Sequence, residues 1–443
     1  MTTKLQRTMM SRLEAWRDAS PKMPLLLRGA RQTGKTWIIN EFGDLFYDHV
    51  LRIDFMRDES AKAFFDGSLE PNAILDDLSA YTGVPVIAGK TLIFFDEIQE
   101  CPRALTSLKY FCEEAAEHHI IATGSYMGAS RHEGSSFPVG KVTMMTLHPL
   151  TFTEFLSNAG DERLAGYIRS GRLESINTAF TERLTGRLKE YLVVGGMPAA
   201  VLAHINGAAA SQVRDIQQEI LDAYDLDFSK YAPLRLLDRL RLVWKTIPTQ
   251  LAKENRKFIY GVLRPGARAR DFEESLMWLR DYGIVTQVPC VTALRQPLSG
   301  YVDVPAFKLF ASDTGLLGAL AHLDPAIIVE GSRLFTEFKG ALTEQYVCQQ
   351  LVAQGYEPYY WANPNGHAEI DFAVEQGAGI YPVEVKAEQN LKAKSLRYAY
   401  DHFGLTMAVR MSLTGYRKES WVANIPLWAA DGLYSWIRER NQA

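Results

Sequence analysis

The sequence predicts an α/β protein whose N-terminal third is organised around a buried parallel sheet. The first observation behind this is a set of short apolar runs: LLLRG at 25–29, VLRIDF at 50–55, TLIFFDE at 91–97 and HHIIATGS at 118–125. The second is the helix-length spacing between them, which parallel strands need for their crossovers. The third is composition. With 443 residues, 47% hydrophobic and 23% charged, the chain lies in the ordinary globular range and can bury a sizeable core. At roughly 150 residues per domain, that length suggests about three domains.

Several classes are excluded at this stage. No stretch reaches the ~20 apolar residues of a membrane span; the longest candidate, Leu192 to Ala203, is broken by Gly195, Gly196 and Pro198. The start, MTTKLQRTMMSRLEAW, is charged throughout and has no secretory-signal pattern. Cys101, Cys112, Cys290 and Cys348 are scattered, which points to neither a disulfide framework nor a zinc site. A soluble protein of a reducing cytoplasm, without membrane contact, is expected.

The first apolar run leads directly into Gly29-Ala30-Arg31-Gln32-Thr33-Gly34-Lys35-Thr36, a G-x-x-x-x-G-K-[ST] sequence. Its glycines let backbone N–H groups converge on phosphate oxygens at the start of a helix. Lys35 is placed to reach the β- and γ-phosphates of ATP, and the Thr36 hydroxyl to ligate Mg²⁺. The third run ends in Asp96-Glu97, where a buried strand delivers two carboxylates to one edge. Asp96 is expected to hold Mg²⁺ and Glu97 to orient the attacking water. The fourth run ends in Thr123-Gly124-Ser125, whose hydroxyls either sense a phosphate, Ser125 among them, or cap a helix.

From 156 to 232 the pattern turns helical, with Val213, Ile216, Ile220 and Tyr224 at spacings of three and four. The Gly195-Gly196-Met197-Pro198 stretch reads as a turn. Residues 233–300 differ in charge: twelve Lys and Arg against six Asp and Glu, a net of +6 hidden inside an overall −4. Here a helix marked by Phe272, Leu276 and Leu279 follows a basic turn with Arg264, Arg268 and Arg270. Strand-like residues and a Pro297 hairpin come after it, the order of a winged helix. Lys253, Arg256, Lys257, Arg268 and Arg270 are expected to meet DNA phosphates. The alternative is a protein-interaction module whose Arg268 or Arg270 pairs with Glu273 or Glu274.

The last part runs helix, two strands, helix. It carries Glu369-Ile370-Asp371, then Glu384-Val385-Lys386, with Glu344 on the preceding helix. Residues two apart on a strand share a face, so Glu384 and Lys386 point one way. Carboxylates from Glu344, Asp371 and Glu384 with the Lys386 ammonium are the components of a Mg²⁺-dependent phosphodiester hydrolase. The arrangement resembles the PD-(D/E)xK nuclease superfamily. A Glu-x-Lys edge on an ordinary solvated strand is the plain alternative.

The runs GARQTGKT, FFDEIQECP, IIATGSY and PLTFTEFL (149–156) resemble the prokaryotic AAA-type ATPases whose ATPase domain precedes a domain of unknown function, DUF4143. YLVVGGMP (191–198), IPTQLAKENRKF (247–258), ARARDFEESLMWLRDYGIV (267–285) and FKLFASDTGLL (307–317) continue the likeness in order. The resemblance implies a P-loop NTPase (AAA-like) parallel sheet at 1–155 and a helical domain at 156–232. A winged-helix-like domain at 233–325 and a restriction-endonuclease-like α/β domain at 326–443 would follow. Relatives of this kind carry a Gly-Arg pair before the PL-F-EF stretch, the source of an arginine finger. This chain has Gly140-Lys141, and Lys lacks the planar fork of Arg; Arg131 or another arginine would have to substitute.

The expected function is ATP binding and hydrolysis coupled to DNA binding and to Mg²⁺-dependent nuclease action. Two rivals remain: a nucleotide-switched protein- or DNA-binding module with an inactive nuclease-like domain, and a DNA-stimulated motor. A homo-oligomer is compatible with any of them.

Overall fold

The computed structural model describes residues 4–124, 137–253, 256–330, 336–364, 366, 368–387 and 393–441. The chain divides into two compact units, one of residues 7–148 with 281–283 and one of the remainder.

The first unit is built on five parallel strands: β1 (Leu25–Arg28), β2 (His49–Asp54), β3 (Thr91–Asp96), β4 (His119–Gly124) and β5 (Thr143–Thr146). Their spatial order is β2-β3-β4-β1-β5. All five run the same way, so their C-terminal ends lie along one edge, where β4 separates the loop-bearing β1 from the acid-bearing β3. The four apolar runs are the four strands expected. β5 was not anticipated, because TMMT carries no apolar run and is only half-buried at the sheet edge.

Strand β3 is buried at every position. Alternation sends Ile93 and Phe95 to one face, with Phe55, Phe65 and Phe111, and Leu92 and Phe94 to the other, with Ile38, Ile39 and Phe42. The second set comes from the Lys35–Phe46 helix, so the helix that follows the glycine loop is fixed to the sheet by its apolar face. The Pro71–Thr82 helix has local stop signals at both ends. Glu70 accepts the Asn72 and Ala73 N–H groups at its start, and Gly83 adopts a left-handed conformation at its end.

The second unit begins with helices Phe152–Asn158, Glu162–Ser170, Thr181–Val194, Pro198–Ile205, Ala210–Tyr231 and Leu234–Leu251. A short helix, Tyr260–Leu263, and the Ala269–Asp281 helix lead to the antiparallel pair β6 (Val285–Val291) and β7 (Val302–Ala311). After the Thr314–Leu320 and Thr336–Ala353 helices come β8 (Tyr359–Ala362), β9 (Glu369–Gln376), β10 (Gly379–Val385), β11 (Ala408–Ser412), β12 (Arg417–Lys418) and β13 (Val422–Pro426). The Lys394–Phe403 helix joins β10 to β11.

These strands form one eight-stranded sheet, β12-β13-β11-β10-β9-β8-β6-β7. The β9–β10 hairpin lies where the sequence placed it. Across the expected division at 325/326, β6 pairs in parallel with β8 through Cys290↔Tyr360 and Val291↔Trp361, which makes the β6–β7 hairpin the edge of the C-terminal sheet. Pairing between backbones leaves no local trace in the sequence, so this join was not legible.

Asp313 ties three distant segments of this unit together. Its buried carboxylate accepts the Gly196 N–H at 2.6 Å, the Leu316 N–H at 3.0 Å and the Gln349 side-chain amide at 3.1 Å. Burial pushes the Asp313 carboxyl up, and those hydrogen bonds oppose the shift. The GGMP turn and the SDTG stretch therefore meet at a single buried acid.

Among the described residues, no helix is long and apolar enough to cross a membrane.

Candidate functional site

The glycine loop of the first unit closes as its sequence requires. Gly34 has φ +92°, a left-handed conformation that a side chain would strain, and from there the Lys35–Phe46 helix begins. Thr33 is fully buried and its hydroxyl donates to the Ala30 carbonyl at 2.8 Å. Arg7 holds the loop from behind, donating to the Thr33 carbonyl at 3.1 Å and the His148 carbonyl at 2.6 Å. Gly29, Ala30, Arg31 and Gln32 complete the loop, which leads into the N-terminus of the Lys35–Phe46 helix.

Lys35 is 6% exposed, and its ammonium donates to the Gly29 and Ala30 carbonyls at 2.9 and 3.0 Å. Burial pulls it down to about 8, against the opposing charges of Glu97 and Asp96. The Thr36 hydroxyl donates to Asp96 at 3.0 and 3.1 Å, across the gap that β4 spans. Thr123, fully buried at the end of β4, also donates to Asp96. The choice between phosphate sensing and helix capping is thus answered for Thr123 by a third role, holding the acid; Ser125 lies outside the described residues.

Two features were not foreseen. Arg52, on β2, donates to Asp96 at 2.7 Å and lies over the Phe94 ring. Arg52 is an exposed position of β2, so nothing in the apolar run itself required this partner. Glu97 takes a left-handed conformation at φ +52° and accepts the Gln99 amide at 2.6 Å. Burial pushes its carboxyl up, with the Gln99 bond and Lys35 opposing. Lys141 forms an ion pair with Glu113 at 2.9 Å; Arg131 lies outside the described residues.

The donor set suits a magnesium nucleotide. A hydroxyl and a carboxylate already face each other, an ammonium donates to carbonyls of its own loop, and a helix N-terminus opens beside them. Residues 21–156 match the AAA domain family. This supports the AAA-type P-loop ATPase part of the sequence resemblance, which covers the first unit.

The AAA domain match is followed by two more. Residues 185–326 match DUF8612 and residues 339–429 match DUF4143, both domains of unknown function. The DUF4143 match names no nuclease, so that reading of the C-terminus gains nothing from it. No curated protein matches the sequence. Among solved structures, a Walker-type ATPase of Pyrococcus abyssi is similar at 14% identity and a TM-score of 0.46, covering 72% of this chain and 96% of that one. The ORC1 protein of Aeropyrum pernix in complex with DNA is similar at 13% identity and 0.31, covering 73% and 93%. Thermotoga maritima RuvB gives 13% identity and 0.26, covering 66% and 91%.

In the second unit, the four residues proposed as a nuclease centre do come together. The Asp371 carboxylate accepts the Val385 N–H at 2.7 Å, and Lys386 pairs with Glu384 at 2.6 Å. Glu344, 2% exposed on the Thr336–Ala353 helix, lies against Asp371. Burial pushes the Glu344 carboxyl up to about 8, Asp371 adding to the shift and Lys308 and Arg256 opposing it.

Lys308 and Arg256 were not expected there. Lys308 is fully buried on β7, 3.6 Å from Glu344 and 2.7 Å from Glu369. Burial works to lower its ammonium, and Glu344, Glu369 and Asp371 outweigh it. The sequence signal was a lone lysine within FKLFA. Arg256, assigned from the sequence to DNA phosphates, turns inward and forms an ion pair with Glu344. That assignment is corrected: its guanidinium is spent on a buried acid.

Among the described residues, no three His, Cys, Asp or Glu side chains are grouped as a metal ion requires. The proposed ligand set Glu344, Asp371 and Glu384 therefore does not fit Mg²⁺ in this structure, since each carboxylate is turned to a protein cation or N–H.

Arg264, Arg268 and Arg270 are exposed around the start of the Ala269–Asp281 helix. Glu274 pairs with Arg235 at 2.5 Å rather than with Arg268 or Arg270, so the intrahelical pairing considered above does not include it.

Proposed function

We propose that the first unit binds ATP with Mg²⁺ and hydrolyses it. The observation that carries this is the meeting of Thr36 and Asp96 beside Lys35 at the C-terminal edge of the sheet. Bound Mg²⁺-ATP supplies the phosphoryl group to be transferred. Lys35 leaves its loop carbonyls for the β- and γ-phosphate oxygens, where its charge is balanced. Thr36 and Asp96 hold the ion, with Thr123 and Arg52 fixing the carboxylate. Glu97 orients and polarises the attacking water once it exchanges Gln99 for it. Lys35→Ala should abolish ATP turnover while circular dichroism stays unchanged; undiminished turnover in that variant would refute the assignment.

A DNA-linked role is the second part of the proposal, supported by the exposed Arg264, Arg268 and Arg270 at a helix start that precedes a β-hairpin, the order of a winged helix. Fluorescence anisotropy on duplex DNA should show affinity falling steeply between 50 and 200 mM salt. The slope should shrink in the triple alanine variant, and salt-independent binding would count against it. For the C-terminal region we favour a non-catalytic platform over an active nuclease, because Glu344, Asp371 and Glu384 each already meet a protein cation or N–H and are not grouped as a metal ion requires among the described residues. Purified protein should not nick DNA with Mg²⁺ or Mn²⁺; nicking abolished by Asp371→Ala would reverse this preference.

A further inference from the structure

Three residues far along the sequence, Asp281, Tyr282 and Gly283, belong to the first unit together with the phosphate loop. They end the Ala269–Asp281 helix and lead into β6. Tyr282 is 1% exposed. Gly283 closes the helix in a left-handed conformation, φ +81°, and the Ile284 N–H donates back to the Leu279 carbonyl at 3.3 Å, the pairing of a glycine C-cap.

What the glycine faces is the phosphate loop. A Cβ added at Gly283 would lie 3.3 Å from the Ala30 nitrogen and 3.7 Å from its Cα, so that one backbone must give by a few tenths of an ångström to admit even a methyl group. A helix cap alone asks only for the left-handed conformation, which Asn also adopts. The close approach to Ala30 is a second and separate reason for glycine here.

Ala30 is 3% exposed, and its carbonyl accepts the Thr33 hydroxyl at 2.8 Å and the Lys35 ammonium at 3.0 Å. Lys35 gives up its bond to Ala30 when it turns to nucleotide phosphates. The residue whose bonding changes with nucleotide is thus the one against which Gly283 lies. The helix attached to this turn has 13 residues, with Phe272, Leu276, Trp278 and Leu279 buried along one side. At ~1.5 Å per residue it is a rod of roughly 20 Å, and Arg268 and Arg270 stand exposed at its other end.

We propose that the Asp281–Gly283 turn is the backing of the phosphate loop at Ala30, and that through it the nucleotide state of the loop is passed to the Ala269–Asp281 helix. Gly283 is a positioning residue in this scheme: it touches no nucleotide and acts through Ala30. The coupling rests on the ATP reading of the loop and not on the DNA reading of the arginines.

The test is amide hydrogen exchange, read by mass spectrometry over residues 269–285 of the full-length chain, without ligand and with saturating Mg²⁺-AMP-PNP. Bound nucleotide should slow exchange across 279–284 in wild type by roughly two-fold or more. Gly283→Asn keeps the left-handed cap while adding a side chain against Ala30. It should weaken Mg²⁺-AMP-PNP affinity by roughly five-fold or more and, once saturated, lose the exchange response. Unaltered exchange in nucleotide-saturated wild type would overturn the proposal, a comparison that needs no variant to fold. A folded Gly283→Asn with wild-type affinity and a wild-type response would overturn it equally. Wild type that binds no AMP-PNP in the same titration would instead defeat the ATP reading, so the two ideas fail on different measurements.

Discussion

At the scale of single residues, the proposed ATP site depends on hydroxyls and charges that act on one carboxylate. Asp96 receives Thr36, Thr123 and Arg52, and the strand register places Arg52 and Asp96 on one face of the sheet. Thr36→Val removes a ligand and a hydrogen bond while keeping the shape. It should weaken Mg²⁺-dependent nucleotide affinity ten-fold or more and leave Mg²⁺-independent affinity nearly unchanged, as read by titration with a fluorescent ATP analogue. A pH effect belongs to His119, which bonds Tyr47 at 2.7 Å and touches Lys22. Burial first, and then the Lys22 charge, pull its imidazole down from 6.5 to about 4. The unfolded chain therefore takes up a proton that the folded one refuses, so the stability His119 contributes is complete above about pH 6.5 and is lost as pH falls towards 4. Thermal melts should show this loss between pH 6.5 and 4, and a smaller one in His119→Gln.

At the scale of elements, the sequence was most legible where one strand or helix buries itself. Leu92–Phe95 announced β3 because full burial on both faces demands an unbroken apolar run, and Gly29–Thr36 announced a loop because only glycine allows its turn. Phe95 lies among Phe55, Phe65 and Phe111, so Phe95→Ala should cost about 3–5 kcal/mol in chemical denaturation. β5, β12 and the partner strands of β6 were not legible, since short edge strands are defined by the backbone they pair with. The second carboxylate site was half legible. Asp371, Glu384, Lys386 and Glu344 could be named from spacing, but Lys308 and Arg256 arrive from other elements, and only the folded chain shows which acid each one meets.

At the scale of the whole molecule, the two units differ in how far apart their partners lie along the chain. In the first, Arg7 closes on His148, and every strand of the sheet is contained in between. In the second, Phe152 donates to Gln350 and Thr153 to Asp431, so its opening helices wait for residues 198 and 278 positions later. A chain ending before Asp431 should leave the second unit open while the first keeps its sheet. Limited proteolysis of a truncation at residue 420 should degrade residues beyond about 150 and spare a fragment carrying the ATP loop; uniform protection or uniform loss would contradict this.

The bond between Thr153 and Asp431 also bears on synthesis. A chain made at ~5–20 residues per second needs roughly 14–55 s between those two positions. Within that interval Phe152 and Phe155 can already pack on Tyr191, while Thr153 still lacks the carboxylate that it meets. All five strands of the first sheet are thus synthesised by Thr146, long before the last partners of the second unit appear.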